Sequence, residues 1–512
     1  MQVDNSRLLA SLEAFWPGIT AALPAQPEGP RRLIQDSRHV TPGDVFIALP
    51  GVHVDGRDYL TQALEAGAAL VLCHFDAETP PYEEADDPRV LMLTGLSYCV
   101  GELGWALFQV PEHQQLIGVT GTNGKSSVTH YIAALSEAVG RPCGLIGTLG
   151  SGRPGALVDS GLTTPGPLAL QESLAEMAAQ GLNRVAMEVS SHALDQQRLE
   201  GCRVQAAVFT NLTRDHLDYH SGMADYAAAK AKLFKRSELE LAVVNGDDSL
   251  ARLMLAGLPK GVRVLATGED EATTFRVLDW EPRPDGQRAL IASPDGEFAL
   301  ALSLMGRFNL DNVLLAMATL YGLGESLEDI SVAAGQLAPV PGRMQPLFRP
   351  GQPSVVVDYA HTPDALDNAL AALRAHLGKS GQLWCLFGCG GDRDRGKRPL
   401  MARAAASHAD RLVITDDNPR GEDAAAIRGQ ILEGLEPDQR DVAWSIDGRR
   451  AAIRACLEAA GPNDVVLVAG KGHETYQEIG GVRHDFSDAE EITQALDDLA
   501  SSPGDAGPES RS

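Results

Sequence analysis

The stretch QQLIGVTGTNGKSSVTHYIAALSEAVG, residues 114–140, decides the fold class of this 512-residue chain. An apolar run, a glycine-containing loop and apolar residues at helical spacing predict a strand, a phosphate-binding loop and a helix. The strict form of such a loop has four residues between its two glycines, and Val119 occupies the position of the first. Since the turn needs only the residues from Gly121 to Gly124, we interpret Val119 as the end of the strand and the loop as a working variant.

The loop contains the groups that bind the phosphates of a nucleotide. Its backbone N–H groups and the positive end of the following helix face an anion, Lys125 supplies charge, and the Ser126 hydroxyl can bind Mg²⁺. A glycine turn with an incidental lysine is the alternative. The predicted ATP-binding residues here are Gly121, Thr122, Asn123, Gly124, Lys125, Ser126 and Ser127.

Composition narrows the classes of partner. The chain has 43 Lys and Arg against 69 Asp and Glu, a net charge of −26, which disfavours nucleic acid and anionic membranes as partners. Its seven cysteines form no CxxC pair, as expected of reduced thiols in the cytosol. The N-terminus lacks the pattern of a signal peptide and no apolar run is long enough to span a bilayer, so we expect a cytoplasmic protein.

The length predicts about three domains. We predict an α/β fold with a small N-terminal α/β domain (1–105), a central domain (106–338), a C-terminal Rossmann-like domain (339–496) and a disordered tail (497–512). The central domain should contain a doubly wound parallel sheet around the phosphate loop. In the C-terminal part, apolar strands end in the polar segments DYAHTP, GGDRDRGK, DNPR and GKGHE, which a parallel sheet would gather at one edge.

The loop TGTNGKSS resembles that of the Mur ligases, ATP-dependent amide-bond-forming enzymes of peptidoglycan synthesis that are related to folylpolyglutamate ligase. Glu188, at the end of a strand in MEVSSH, is a natural ligand for Mg²⁺, and with His216 it resembles the metal-binding pair of that family. The resemblance implies that Lys230 of DYAAAK is carbamylated and also holds Mg²⁺. The implied catalytic residues are Lys125, Glu188, His216 and Lys230, and the implied metal ligands are Ser126, Glu188, His216 and carbamylated Lys230.

Several of these residues have ordinary alternatives. From sequence alone Lys230 is a surface lysine. The alternative for Glu188 is that it caps a helix, and the alternative for His216 is that it sits in a solvated turn. Asn309 and Asn312 of GRFNLDNVLLAMA resemble the asparagines near the adenine in Mur ligases, although Asn309 could instead cap its helix.

Further segments resemble the substrate sites of the family. The UDP-sugar and its dipeptide would be held by Ser37, Val52, His53, Val54, Thr163, Thr164, Ser190, Gln196 and Arg198. The motif DNPR resembles that of the diaminopimelate-adding type; diaminopimelate carries a second carboxylate that lysine lacks, and Arg420 suits it. The implied diaminopimelate site comprises Arg393, Asp417, Asn418, Pro419, Arg420, Gly470 and Glu474, with Glu474 facing the ammonium. Read alone, DNPR is an Asn-Pro turn.

The resemblance therefore implies a ligase that joins meso-diaminopimelate to UDP-N-acetylmuramoyl-L-alanyl-D-glutamate through an acyl phosphate, with ATP and Mg²⁺ as cofactors. It should act as a monomer whose C-terminal domain swings to close the site. His361 is a candidate proton acceptor by position only. The alternatives are a lysine-adding relative, a folylpolyglutamate-type ligase and a P-loop ATPase or switch; an oxidoreductase fails because no GxGxxG follows a strand.

Overall fold

The computed structural model describes residues 2–23, 29–51, 54–77, 87–159, 161–214, 219–283, 286–378 and 380–501. Three larger sheets follow one another along the chain, each covered by helices, and a two-stranded hairpin is added near the C-terminus. The predicted α/β fold, with a small N-terminal unit, a central unit and a C-terminal unit, is confirmed at this level. No helix in these ranges is long and apolar enough to cross a membrane.

The first sheet has the order β1-β2-β3-β4-β5. Its first pair is antiparallel and the others are parallel, as expected when helices connect successive strands. The strands are β1 Gln2–Val3, β2 Arg31–Ile34, β3 Val45–Ala48, β4 Leu70–Phe75 and β5 Val90–Thr94; the helices are α1 Asn5–Phe15, α2 Leu60–Glu65 and α3 Leu96–Phe108, with short 3₁₀ turns at Ile19–Ala22, Ser37–His39 and Gly56–Tyr59.

The second sheet surrounds the phosphate loop. Its strands are β6 Gln115–Thr120, β7 Cys143–Gly147, β8 Gly150–Gly152, β9 Arg184–Glu188, β10 Val204–Phe209, β11 Leu241–Asn245, β12 Arg263–Gly268, β13 Phe275–Arg283, β14 Gly286–Ser293 and β15 Gly296–Leu302. Its helices are α4 Lys125–Ala138, α5 Pro167–Ala179, α6 Ser191–Asp195, α7 Met223–Ala231, α8 Ala251–Leu255, α9 Arg307–Gly322 and α10 Leu327–Ala334, with a 3₁₀ turn at Lys232–Lys235.

The strand order of this sheet is β15-β14-β13-β12-β11-β10-β6-β9-β7-β8. The strands from β13 to β7 run parallel, which confirms the predicted parallel core. Antiparallel strands extend it at both ends, β14 and β15 on one side and β8 on the other, and the sequence did not predict them. Because β6 lies between β9 and β10, the chain leaves β6 at a reversal of strand order, where open α/β sheets bind ligands.

The third sheet has the order β16-β17-β21-β18-β19-β20 and is parallel except for β16. Its strands are β16 Gln345–Leu347, β17 Ser354–Asp358, β18 Leu383–Phe387, β19 Arg411–Ile414, β20 Trp444–Ser445 and β21 Val465–Ala469, and the hairpin is β22 Tyr476–Ile479 with β23 Val482–Asp485. The helices are α11 Pro363–His376, α12 Lys397–His408, α13 Ala424–Leu432, α14 Pro437–Val442, α15 Arg449–Ala459 and α16 Asp488–Ser501.

Helix α16 continues past residue 496, where the sequence placed the start of a disordered tail. Asp497 on this helix pairs with Arg349, with 2.9 Å between the carboxylate and the guanidinium. The remainder of the predicted tail, from 502 on, lies outside the described residues.

Candidate active site

The phosphate loop joins β6 to α4, and its two glycines are required by their surroundings. Gly121 has a φ of 152°, and a Cβ built on it would lie 1.9 Å from the Thr210 hydroxyl oxygen. Gly124 has a φ of 85°, and its Cβ would lie 2.5 Å from Oδ1 of Asn312. Any side chain at either position would therefore push apart the elements that enclose the loop.

Lys125 and Ser126 follow the loop at the start of helix α4. Helix α4 begins at Lys125, whose Nζ donates hydrogen bonds to the carbonyl oxygens of Gly121 (3.0 Å) and Thr122 (2.8 Å). Ser126 follows at the first turn of the helix and is buried. An ammonium and the amide groups of a helix N-terminus thus converge, and they are the hydrogen-bond donors that nucleotide phosphates require. The hydroxyl oxygen of Ser126 beside them is a suitable ligand for Mg²⁺.

A segment after β10, Thr210 to Thr213, braces this loop and was missed by the sequence analysis. The Thr210 hydroxyl donates to the carbonyl of Asn123 at 2.6 Å, and the Asn123 N–H donates to Oδ1 of Asn211 at 3.0 Å. The Thr122 hydroxyl donates to the carbonyl of Thr213 at 3.2 Å. The sequence pattern that could have indicated this segment is a run of short polar side chains directly after an apolar strand.

Glu188 ends β9 directly beside the loop, since it pairs in register with Val119 of β6. It is 1% exposed, and its carboxylate accepts hydrogen bonds from the backbone N–H (2.9 Å) and the hydroxyl (3.2 Å) of Thr148. A buried carboxylate and the hydroxyl of Ser126 are hard oxygen ligands of the kind that Mg²⁺ prefers. Within the described ranges no group of three or more His, Cys, Asp or Glu side chains is placed to hold a metal.

Lys230 is buried, with 1% of its surface exposed, so the expectation from sequence alone of a surface lysine is wrong. Its Nζ donates to the carbonyl of Gly121 at 2.8 Å and lies 4.5 Å from the ring centre of Tyr226. Helix α7 thereby brings this amine under the phosphate loop. An ammonium repels a metal ion, so Lys230 fits a metal site only in the carbamylated form; His216 lies outside the described residues.

A cavity of about 290 Å³ separates the loop and α9 from the C-terminal sheet. Asn309 and Asn312 both line it from α9, and Gly306, rather than Asn309, occupies the N-cap of that helix. Asp311 lines it as well, and burial raises the pKa of its carboxyl to about 6. The cavity is large enough to take part of a nucleotide next to the phosphate loop.

Residues of the C-terminal unit line the opposite wall, and the sequence analysis did not identify them. Arg343 donates to the Ser126 hydroxyl at 3.4 Å and lies over the ring of Tyr359. Asp358 and Asp364 also face the cavity, and burial raises the pKa of Asp358. Only their position in the sequence could have indicated them, because Arg343, Asp358 and Asp364 flank the first strands of the C-terminal sheet.

Two histidines of the C-terminal unit also lie near this cavity. Burial and the charge of Arg343 lower the pKa of His473 to about 4, so its imidazole is neutral at pH 7. His361 lines the cavity, and its Nδ1 contacts the carbonyl of Tyr359 at 2.9 Å. The role of His361 as proton acceptor stays a prediction.

The residues expected to hold the dipeptide converge beside Glu188. Thr164 donates to the carbonyl of Glu188 at 2.9 Å, and its hydroxyl oxygen accepts from the N–H of Ser190 at 3.1 Å. Arg198 donates to the carbonyl of Thr164 (2.8 Å) and to Oε1 of Gln196 (2.7 Å). Thr163 joins them through a 3.1 Å contact between its hydroxyl and that of Thr148.

The N-terminal part of the expected UDP-sugar site is only partly described. Ser37 is buried and donates to Oε1 of Gln62 at 2.9 Å, whereas Val54 is 59% exposed. Val52 and His53 lie outside the described residues. Within the described ranges no hydrogen bond joins Ser37 to the dipeptide residues, so their cooperation stays a prediction.

The motifs DNPR and GKGHE meet at the edge of the C-terminal sheet. Asn418 donates to Oε2 of Glu474 at 2.9 Å, and Arg420, at a φ of 52°, donates to the carbonyl of Gly391 at 2.9 Å. Around them lie Arg393, Asp417, Pro419 and Gly470. The structure adds Lys471, whose Nζ lies 2.9 Å from Glu474, as a residue that the sequence analysis missed although GKGHE contains it.

Comparison with known proteins agrees with this geometry. Models of the Mur ligase family match residues 33–98 (catalytic domain), 119–320 (middle domain) and 342–472 (glutamate ligase domain). A UDP-N-acetylmuramoyl-L-alanyl-D-glutamate--2,6-diaminopimelate ligase of Pseudomonas syringae pv. tomato is 46% identical over 468 residues, which cover 91% of this chain and 95% of the relative. The chain belongs to the Mur ligase family.

Solved structures of Mur ligases share this architecture. A diaminopimelate ligase of the same description is 36% identical, with a TM-score of 0.67, and the match covers 94% of this chain and 99% of that one. A MurF from Acinetobacter baumannii is 18% identical with a TM-score of 0.66, covering 97% and 99%, and shows the shared fold. Membership of this ligase family leaves the alternative of a P-loop switch without support.

Proposed function

We propose that this Mur ligase uses ATP to join meso-diaminopimelate to UDP-N-acetylmuramoyl-L-alanyl-D-glutamate. The observation that carries the proposal is the meeting of DNPR and GKGHE. Their side chains form hydrogen bonds with each other although they are 53 to 56 residues apart in the sequence. Together they combine one guanidinium with two carboxylates, which is the complement of an amino-acid head group. The names of the relatives that are 46% identical support the same substrates.

ATP supplies the phosphoryl group that activates the substrate carboxylate, and Mg²⁺ neutralises charge on the phosphates. Lys125 and the loop amides bind the phosphates, and Arg343 approaches them from the C-terminal unit. Ser126, Glu188, His216 and carbamylated Lys230 would hold Mg²⁺, and Asn309 and Asn312 would contact the base. Catalysis then consists mainly of positioning and charge neutralisation.

The acceptor amine enters from the C-terminal side. Arg420 and Arg393 bind the distal carboxylate of diaminopimelate, while Glu474 and Asp417 bind its distal ammonium. The proximal amine then points toward the cavity, where an acyl phosphate of the D-glutamate residue would form. Thr163, Thr164, Ser190, Gln196 and Arg198 fix that residue.

The remaining assignments belong to the same proposal. The UDP-sugar lies against Ser37 and the segment Val52–Val54 of the N-terminal domain. Domain limits at 105 and 338 are supported by the change of sheet on either side of each, and the last limit is moved to 501 by helix α16. The enzyme acts as a cytoplasmic monomer without nucleic acid or membrane partners, in keeping with its net charge of −26.

The test is phosphate release from ATP in the presence of the UDP-dipeptide, with meso-diaminopimelate, L-lysine or no amine. We expect release only with diaminopimelate, and Arg420→Ala should lower kcat/KM for diaminopimelate about 100-fold, because a charged bidentate contact is lost. The control is Arg483→Ala, an exposed arginine of the neighbouring hairpin that should change little.

Equal rates with lysine would favour the lysine-adding alternative and refute the role of Arg420. Release that is independent of both the amine and the UDP-dipeptide would refute the ligase activity itself. A folylpolyglutamate-type ligase would instead show activity with a glutamate acceptor and none with the UDP-dipeptide.

A further inference from the structure

Lys471 is buried completely, at the centre of the proposed amine pocket. It is one of the largest side chains in the described residues with no exposed surface, and its ammonium must therefore be satisfied by the protein. Its Nζ donates to Oε2 of Glu474 at 2.9 Å and to Oδ1 of Asn418 at 3.1 Å. Both acceptors belong to the set that we assign to diaminopimelate.

These contacts fix the orientation of the Asn418 amide. Its Oδ1 accepts from Lys471 and from the backbone N–H of Glu478 (3.0 Å), while its Nδ2 donates to Oε2 of Glu474 (2.9 Å). A flipped amide would place its NH₂ against two donors. Lys471 and Asn418 both donate hydrogen bonds to Oε2 of Glu474, whereas no donor among the described residues reaches Oε1.

A second carboxylate shares the same cation. Oδ1 of Asp417 lies 3.7 Å from Nζ of Lys471, beyond hydrogen-bond distance. This oxygen is buried and has no hydrogen-bond partner in the described part of the chain. A buried carboxylate oxygen without a donor is costly, so the pocket offers one unfilled acceptor on Asp417 and one on Glu474.

The charges of this cluster leave room for one cation. Asp417 and Glu474 contribute two negative charges and Lys471 one positive charge. Arg449 also faces both carboxylates, but its charge is balanced by a buried ion pair with Asp488, so the cluster carries one net negative charge. An ammonium carries one positive charge, which matches the net charge of the cluster, and its three N–H donors are enough to fill both free acceptors. Lys471 occupies the buried side of the carboxylates and leaves the other side to the ligand.

We propose that Lys471 is a positioning and specificity-determining residue, which holds Asn418 and Glu474 in place and balances Asp417 so that the pocket accepts a single ammonium. The inference rests on the proposed diaminopimelate-adding function. Lys471 contacts the residues that bind the substrate and not the substrate itself. Without its charge, the carboxylates that lie 2.9 Å (Glu474) and 3.7 Å (Asp417) from Nζ would repel each other, and a proton taken up in place of the lysine charge would remove an acceptor.

The test is the variant Lys471→Met in the full-length enzyme, with KM measured separately for diaminopimelate and for ATP from pH 6 to 9. We expect KM for diaminopimelate to rise about 30-fold at pH 7, the size of effect expected when hydrogen bonds between charged groups are disturbed. It should rise further as the pH falls, since the carboxylates take up a proton, while KM for ATP changes less than about two-fold.

The matched control is Asp417→Asn, alone and combined with Lys471→Met. The double variant again has one net negative charge, so the effects of the two substitutions should be far from additive and the added pH dependence should disappear. If Lys471→Met does not fold, the double variant compared with Asp417→Asn tests the same charge balance.

An unchanged or lower KM for diaminopimelate in Lys471→Met, or equal losses for both substrates, would overturn the inference. Additive effects without a change of pH profile would also overturn it, because a purely structural role predicts them. Failure of the proposed function is distinguishable, since it would show as the absence of diaminopimelate-dependent phosphate release in the unaltered enzyme.

Discussion

The central unit of this ligase meets its two neighbours in different ways. On the N-terminal side, a single buried apolar cluster runs through both units and includes Leu96 and Leu103 of α3 with Leu170 and Leu174 of α5. Backbones also touch there, because a Cβ on Gly101 would lie 1.8 Å from the carbonyl oxygen of Glu200. This interface is packed like the interior of one domain.

The C-terminal interface is polar and contains the cavity. The buried apolar clusters of the C-terminal unit consist of residues from Met344 on, and Met305 and Phe308 are the central-unit residues that pack against them. Hydrogen bonds provide other links: His376 on α11 accepts from the N–H of Gly306 at 2.9 Å and contacts the carbonyl of Arg283 at 2.7 Å.

The difference shows where movement is possible. Separating the N-terminal unit would expose a continuous core, whereas separating the C-terminal unit breaks mainly hydrogen bonds that water can replace. We therefore expect nucleotide and amine binding to involve movement of the C-terminal unit, with the N-terminal and central units acting as one body.

The largest effect on activity is expected at the polar interface. Arg343→Ala should lower kcat/KM for ATP about 100-fold, because it removes the cation that faces the phosphate loop from the C-terminal side. The temperature of unfolding should change little. Arg349→Ala, which removes an exposed pair with Asp497, is the control for loss of an arginine in the same segment; similar losses in both variants would contradict a specific role for Arg343.

The apolar interface should respond in stability instead. Gly101→Ala places a methyl group against the carbonyl of Glu200 and should lower the free energy of unfolding by about 2 kcal/mol, as overpacking does. Urea unfolding measures this loss, and Gly429→Ala on α13, where no atom lies within 4 Å of the added carbon, should be neutral or slightly stabilising. Equal stability of the two variants would show that the units are not packed as one body.

The smallest effect is a pH dependence at His376. Burial lowers its pKa below the ordinary value of 6.5, so the folded chain binds fewer protons than the unfolded chain in that range. The contribution of neutral His376 to the free energy of unfolding is complete above pH 6.5 and is lost as the pH falls through the lowered pKa of the folded state. His376→Gln keeps an acceptor for the N–H of Gly306 but cannot take up a proton. We expect its free energy of unfolding to fall on acidification by about 1 kcal/mol less than that of the unaltered chain, which is the contribution of one hydrogen bond.

Urea unfolding at pH 5 and pH 7.5 measures this effect. His408→Gln is the control, since His408 bonds to Asp367 within the C-terminal unit at 2.9 Å. If both variants lose the same acid sensitivity, the effect does not belong to the interface between the units.

Sequence patterns predicted what depends on neighbours along the chain. Periodicity and glycine placement identified the loop from Gly121 to Gly124 and the parallel core around it, since strand, turn and helix preferences are local. The antiparallel strands β14 and β15 were not predicted, because alternating patterns do not reveal which sheet a hairpin joins.

The sequence by itself therefore determined the three-part α/β fold, the phosphate loop and, through its motifs, the family. Only the tertiary structure decided that Lys230 is buried under Gly121, that Arg343 faces Ser126 and that the buried Lys471 donates to Asn418 and Glu474. The physical reason is that burial and charge balance depend on residues far apart in sequence. A lysine has the same local pattern whether it ends in water or between two carboxylates, and only packing distinguishes the two.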